Sequence, residues 1–311
     1  MQSPRKKTSN YQICKTCVMD NSDKNIRFNK LGICDYCNNY EKNIRPYLKK
    51  NIENKLSYID NLKKNLLNYK KLNNSEYDCL IGVSGGVDSS YLLYFIVCEL
   101  KLNPLLIHVD TGWNNKIAIS NIEKFIDKYN LDLHTEVIDW NEIKDLKLSF
   151  FKAQVPTIDA IQDHAIWAAT FNFAKKNNFK YILTGGNLHT EGIREPIYWH
   201  YHAGDLTQIK DIHKKFGTVD LKKFPMCDIL NYQIIYKYFF KIKIIQPLNH
   251  ITYSKKKAID LMKKEIGWQD YGAKHHESNF TKFVEGYWLP TKFNIDKRRA
   301  HLSSLIMSNE I

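Results

Sequence analysis

The chain has 311 residues, 43% of them hydrophobic and 25% charged, which is enough to bury a full core and more than one average domain needs. Its apolar runs, such as Tyr91–Cys98 and Leu105–Ile107, fall far short of the ~20 residues that cross a bilayer, so no membrane span is expected. The net charge of +13 points in general to an anionic partner, but only six of the 46 basic residues are arginine and asparagine is abundant throughout, so charge alone does not argue for nucleic-acid binding.

The basic stretch Met1–Lys7 has no apolar segment behind it. No secretory signal is expected, and the protein is read as cytoplasmic. In that compartment cysteines stay reduced, and close clusters of them signal metal binding or catalysis. Four form the pattern Cys14-x2-Cys17-x16-Cys34-x2-Cys37. Each pair places two thiolates on one tight turn, and two such turns close a tetrahedron, which predicts a zinc ribbon over residues 1–40. With all four positions filled by protein, the Zn²⁺ is expected to be structural. Over residues 41–75 the chain has no glycine and carries Leu48, Ile52, Leu56, Ile59, Leu62 and Leu66 at steps of three or four, predicting an amphipathic connecting helix.

Residues 76–250 alternate short apolar strands with helical stretches. Strands are expected at Asp78–Val83, Leu105–Val109, Leu133–Ile138, Lys180–Thr184 and Ile242–Gln246, and helices at Ser89–Leu100, Asn115–Tyr129, Ile158–Asn177 and Ile229–Phe240. This repetition predicts an α/β fold with a doubly wound parallel sheet. Residues 251–311 read as helical, with helices at Lys255–Glu265, Lys274–Tyr287 and Asp296–Met307.

The first strand runs into Ser84-Gly85-Gly86-Val87-Asp88-Ser89-Ser90 and then an apolar helix. Glycines let backbone N–H groups approach an anion, the helix N-terminus adds partial positive charge, and Ser84 and Ser89 supply hydroxyls, so this loop is read as a phosphate cradle. It lacks the Gly-Lys-Ser/Thr of the Walker type.

Ser84–Ser89 resembles the PP-loop of the N-type ATP pyrophosphatases, which implies a HUP-like parallel sheet. It also implies attack of a carbonyl or carboxylate oxygen on the α-phosphate of ATP, with release of pyrophosphate. Further stretches narrow the likeness: the four-cysteine ribbon, His108–Asn114, Gln162–Ala165, Thr184–Asn187 with Thr190–Gly192, Lys274–Ser278, Leu289–Phe293 and Asp296–Leu302. Together they resemble the N-acetyl sugar amidotransferase family of WbpG- and PseA-like proteins. That resemblance implies conversion of an acetamido group on a bacterial surface sugar to an acetamidino group. AMP is first placed on the amide oxygen, and ammonia then expels it.

Site residues follow from this likeness. Ser84, Gly85, Gly86, Asp88, Ser89 and Ser90 would hold the ATP phosphates, with Asp88 nearest to a bridging Mg²⁺. Asp110, at the end of the second strand, would sit by the adenosine or simply shape the turn before Gly112. Gly185 and Asn187 would line the same crevice. Among His275, His276 and Glu277, expected at a helix start, one would accept a proton from incoming ammonia. Asp163 and His164 are weaker candidates, with a buried structural histidine as the alternative reading. Lys292, Lys297, Arg298 and Arg299 form a dense basic cluster, read as binding pyrophosphate or an acidic sugar nucleotide, with a solvated helix face as the alternative.

The remaining cysteines, Cys79, Cys98 and Cys227, lack the glycine elbow of a glutaminase. Ammonia is therefore expected from a separate glutaminase, with or without an ammonia-channelling cyclase-like subunit, and the acceptor is expected to be an N-acetylated sugar acid or nucleotide sugar. The rival reading is a PP-loop tRNA-thiolating enzyme with a zinc ribbon.

Overall fold

The computed structural model describes residues 11–196, 198, 199, 202 and 204–311. The basic run Met1–Lys7 lies outside the described residues. The five expected strands form one sheet: β1 Cys79–Gly82, β2 Pro104–Asp110, β3 Leu133–Val137, β4 Tyr181–Leu183 and β5 Lys243–Ile245. Their order is β3-β2-β1-β4-β5, and all four pairings are parallel. The register sets Leu80 beside Leu105 and Ile182.

Side chains alternate between the faces as strand geometry requires. Ile81, Leu106 and Leu183 point into a core shared with Leu62, Leu92, Phe125 and Met262, while Leu80, Ile107 and Ile182 point into the opposite core with Ala168 and Phe171. Both faces are covered, which explains why the strands read as continuous apolar runs. The chain builds outward from β1 to β2 and β3, then crosses to β4 on the other side of β1. The crevice at the carboxyl ends of β1 and β4 is thus the topological switch point, where ligands of such sheets sit.

Outside the sheet the structure corrects two expectations and adds two helices. The connecting helix is two helices, Arg45–Glu53 and Lys55–Asn73, broken at Asn54. The Asn54 side chain donates 2.8 Å to Lys50 O, a local bond that competes with the helical ladder. The break rotates the buried face, so Leu62 and Leu66 are buried while Leu56 is 78% exposed. The tail helix begins at Asn279, not Lys274, because Ser278 caps it by accepting from Thr281 N at 3.3 Å. His275, His276 and Glu277 therefore lie in a turn, with His275 in the left-handed region at φ 62°. Finally, two helices with no expectation attached, Trp140–Ala153 and Leu206–Phe216, cover one side of the molecule. Asp145 on the first accepts from Thr218 and His213 near the end of the second.

The ribbon docks on the last helix, Arg298–Met307. Arg299 donates to Val18 O at 2.7 Å and pairs with buried Asp20 at 2.9 Å, and Val18 N donates to Ser303 Oγ at 3.2 Å. No helix among the described residues is long and apolar enough to cross a membrane.

Candidate functional site

The loop after β1 folds as a cup. Gly86 N donates to Ser84 Oγ at 3.3 Å, and Ser89 Oγ donates to Gly86 O at 3.1 Å. Gly85 takes φ 77°, and a Cβ there would fall 2.0 Å from Ala118 O, so both its conformation and its packing require glycine. Its carbonyl accepts from Trp268 Nε1 at 3.2 Å, anchoring the loop from behind. The Gly185-Gly186 turn after β4 closes the other side. A Cβ on Gly185 would lie 2.7 Å from Ser89 N, so the two loops touch backbone to backbone at the switch point.

The resulting cavity, 280 Å³, is lined by Ser84, Gly86, Asp88, Ser89, Gly185 and Gly186. Gly85 and Ser90 shape it from behind; Ser90 is buried and its N–H continues the helix to Gly86 O. Asp88 Oδ2 accepts from Thr190 Oγ1 at 3.2 Å, and Oδ1 accepts from Tyr253 OH. Burial and the Asp88 charge push the Tyr253 hydroxyl far up, so it stays protonated as a donor. Two cations face the same space, Lys255 and Lys274. Lys274 pairs with Glu191 at 2.8 Å and donates to Thr190 O at 3.3 Å. Neither lysine was singled out from the sequence. Lys255 lies between Ser254 and Lys256 and Lys274 between Ala273 and His275, and it is the fold that turns both toward the cavity.

The tail turn forms the lid. Asn115 N donates to Glu277 O at 2.7 Å and Asn279 N to Trp113 O at 2.8 Å, clamping residues 277–279 onto the loop after β2. His275 and Glu277 line the cradle. Burial drives the His275 imidazole well below its usual range, so it is neutral, and burial raises the Glu277 carboxyl. Glu277 Oε2 is buried with no hydrogen-bond partner. His276 lines neither this cavity nor its neighbour, and its Nδ1 accepts from Ala273 N.

Gly82, Ser84, His275 and Glu277 also line a second cavity of 610 Å³. Asp159, Asp163, Glu195, Glu285 and Lys297 face it. Lys297 Nζ sits 3.1 Å from Glu195 and 3.8 Å from Glu285. Burial alone would lower this lysine, but the surrounding carboxylates hold it above its usual range. Asp163 is open to the cavity, where desolvation and then the Asp159 charge raise its carboxyl, and burial pushes Glu285 up to about 8.

The structure separates other expected site residues from these cavities. Asp110 accepts from Gly112 N at 2.7 Å and Asn114 Nδ2 at 2.8 Å, and it lines a third hollow of 410 Å³ beside β3, not the cradle. His164 is buried and accepts from Cys227 N at 3.3 Å, a structural role. Asn187 is buried too, its side chain accepting from Thr190 N and donating to Gly185 O, so it shapes the crevice rather than facing it. The basic cluster of the tail is dispersed. Lys292 lies over the Trp288 ring at 4.6 Å, Arg298 is exposed and bound to Asp296, Arg299 grips the ribbon, and only Lys297 enters a cavity. Helical residues ~100° apart cannot converge on one ligand.

The four ribbon cysteines are buried, with Sγ atoms 3.9 Å apart for Cys14 and Cys37 and 3.7 Å for Cys17 and Cys34. Those spacings match the edges of a tetrahedron with metal–sulfur bonds of about 2.3 Å. Thr16 N and Met19 N point at the sulfurs of Cys14 and Cys17, supporting thiolate charge. The donor set fits a metal ion.

Residues 277–311 match a family model described as "LPS biosynthesis protein WbpG-like, C-terminal domain". The tail of this chain is WbpG-like. This WbpG-like part begins at Glu277, one of four residues that line both cavities, and brings Ser278, Thr281, Glu285 and Lys297 to the second. No curated protein matches the chain. Among solved structures, it is similar to the U34-tRNA thiolase NcsA of Methanococcus maripaludis, at 14% identity and TM-score 0.34 over 83% of this chain and 80% of that one. It is also similar to NMN synthetase from Francisella tularensis, at 12% identity and TM-score 0.36 over 71% and 98%. A third is the NH3-dependent NAD synthetase of Campylobacter jejuni, at 16% identity and TM-score 0.31 over 68% and 89%.

Proposed function

We propose that this protein is an ATP-dependent, AMP-forming amidotransferase that converts an N-acetyl group of a bacterial surface sugar into an acetamidino group. The observation that carries the reading is that the WbpG-like segment supplies Glu277 to the phosphate cradle and four further residues to the cavity next to it. ATP would enter the cradle with its phosphates against Ser84, Gly86 and Ser89, and Lys255 and Lys274 would offset the charge of the departing pyrophosphate. The amide of the acceptor would approach from the second cavity. Glu277 and neutral His275 stand at the shared wall, where the adenylated oxygen and the incoming nitrogen must meet.

The cradle fits a phosphate-bound Mg²⁺: Asp88 would hold it, and the unpartnered Glu277 oxygen lies on the same cavity. When bound, such an ion neutralises developing phosphate charge. The four cysteines are read as a structural Zn²⁺ site that contributes folding energy and no chemistry. Zinc analysis of reductively purified protein should give one ion per chain, lost together with several degrees of melting temperature in Cys34→Ser.

No cysteine lines either cavity, and burial raises the Cys79 thiol strongly and the Cys227 thiol to about 11, which disfavours thiolation. Ammonia is assigned to a separate glutaminase. The test supplies ATP, Mg²⁺, ammonium and a panel of N-acetylated sugar acids and nucleotide sugars. One AMP and one pyrophosphate per amidine are expected, whereas ADP and phosphate would exclude adenylation.

A further inference from the structure

We propose that the helix Asn231–Phe239, which leads into the edge strand β5, is the contact face of a two-fold dimer, with a second copy of this chain lying antiparallel against it. The inference stands whether or not the chemistry proposed above is correct.

The helix has two apolar faces. Tyr232 and Tyr236 turn inward: the Tyr232 ring lies 4.4 Å from that of Trp167 and 5.2 Å from that of Phe171, and the Tyr236 ring lies 5.3 Å from Phe171. Trp167 and Phe171 line the second cavity, so this inner face braces its wall. Leu230, Ile234, Ile235, Tyr238 and Phe239, recurring at steps of four and five, make the outer face. A surface helix ordinarily carries charged and polar residues there. Here the five point to solvent, with exposure running from 39% at Ile235 to 79% at Phe239.

Side chains of this size offer ~180–230 Å² each when fully exposed, so the five leave on the order of 600 Å² of contiguous apolar surface, the upper end of what a monomer shows. Gln233, Lys237 and Lys241 are exposed at its border. With this polar rim the face reaches the ~800 Å² per partner that a stable dimer buries, and an apolar centre inside a polar rim is how such interfaces are built.

The pattern of the face selects a second copy as its occupant. An axis midway between Ile234 and Ile235 sets Ile234 against the partner's Ile235 and Leu230 against the partner's Phe239. Asp228, which caps the helix start by accepting from Asn231 N at 2.6 Å, then falls opposite the partner's Lys241, just past the helix end. The start of the helix is acidic and its end is basic, with Lys237, Lys241 and Lys243 and no carboxylate from Ile229 to Ile259. Antiparallel copies therefore match charge at both ends and oppose their helix dipoles, whereas parallel copies would set like charges together.

Sedimentation velocity of the full chain across a dilution series tests this. The wild type should be a dimer with a Kd of about 1 μM or tighter. Leu230→Asp and Phe239→Asp should each raise the Kd ~100-fold or more, since each places a charge at the apolar centre twice per dimer. Circular dichroism and ATP binding should be unchanged, because both side chains lie on the surface. Leu72→Asp, at an equally exposed apolar residue of the helix Lys55–Asn73, should leave the Kd as it is. Lys241→Glu opposes two acidic groups at both ends and should raise the Kd ~10-fold. Adding Asp228→Asn, which keeps the cap, should recover most of that loss. A wild type that stays monomeric at about 100 μM overturns the proposal and leaves the face to a different protein. A dimer that survives both aspartate substitutions lies elsewhere on the molecule and overturns it equally. Indifference to Lys241→Glu overturns the antiparallel register.

Discussion

The phosphate cradle and the second cavity share a wall but are built in opposite ways. The cradle comes from contiguous residues, Ser84 to Ser89, with one loop after β4 pressed against them, and its charges are mixed: Lys255 and Lys274 stand with Asp88, Glu191 and Glu277. The second cavity draws single side chains from the helix Ala160–Lys176 and its cap, the loop after β4, and the WbpG-like tail, and it is short of cations. A loop that binds a fixed group such as triphosphate can be written as a motif. A cavity assembled by convergence of single side chains leaves no such motif, and it can vary residue by residue without disturbing the cradle.

The largest effects are expected in the cradle. Ser84→Ala and Asp88→Ala should each lower ATP-dependent turnover ~10²-fold or more with circular dichroism unchanged, because they remove phosphate positioning from a surface loop. Equal losses from Ser90→Ala, whose residue only backs the loop, would break the distinction between lining and supporting residues. Gly185→Ala should follow, because its Cβ would meet backbone at 2.7 Å from Ser89 N. The loops must then part, which is expected to destabilise the fold by about 1–3 kcal/mol and to weaken nucleotide binding, measured by urea unfolding and ATP titration.

The second cavity should announce itself through pH. Glu285 has a folded-state value raised to about 8 by burial, so the native state binds its proton where the unfolded chain has released it. Its stabilising effect is full below about 4.5 and is lost as pH rises through about 8. Glu285→Gln should therefore flatten the fall in unfolding free energy between those values. An unchanged slope would mean that the cavity is better compensated than its side chains indicate. Smallest of all, Arg298→Ala should change stability by no more than about 0.5 kcal/mol and leave turnover intact, since the side chain is 70% exposed and, among the described residues, bound only to Asp296.

These contrasts follow what the sequence could carry. Strand-length apolar runs and the Ser-Gly-Gly loop report local physics, and they placed all five strands and the loop at the carboxyl end of β1. The four cysteines did the same for the ribbon. Long-range placement was not legible: no role was read for Lys255 or Lys274, Asn187 was read as lining the crevice although cap geometry consumes its side chain, and of the two readings of Asp110 the structure shows the turn before Gly112. The tail's basic run failed for a related reason. Adjacent residues on one helix serve different masters, so Arg299 holds the ribbon through Asp20 while Lys297 neutralises Glu195. Ser278 as a cap was the one local signal that could have shown the lid to be a turn.

The central claim is that the amide oxygen of the acceptor becomes an oxygen of AMP. An acceptor labelled with ¹⁸O in its acetamido carbonyl, turned over with ATP and ammonium, tests it directly by mass spectrometry of the nucleotide. Label in the AMP phosphate, together with an amidine free of it, is the expected result; unlabelled AMP, or label leaving as water, would contradict the account.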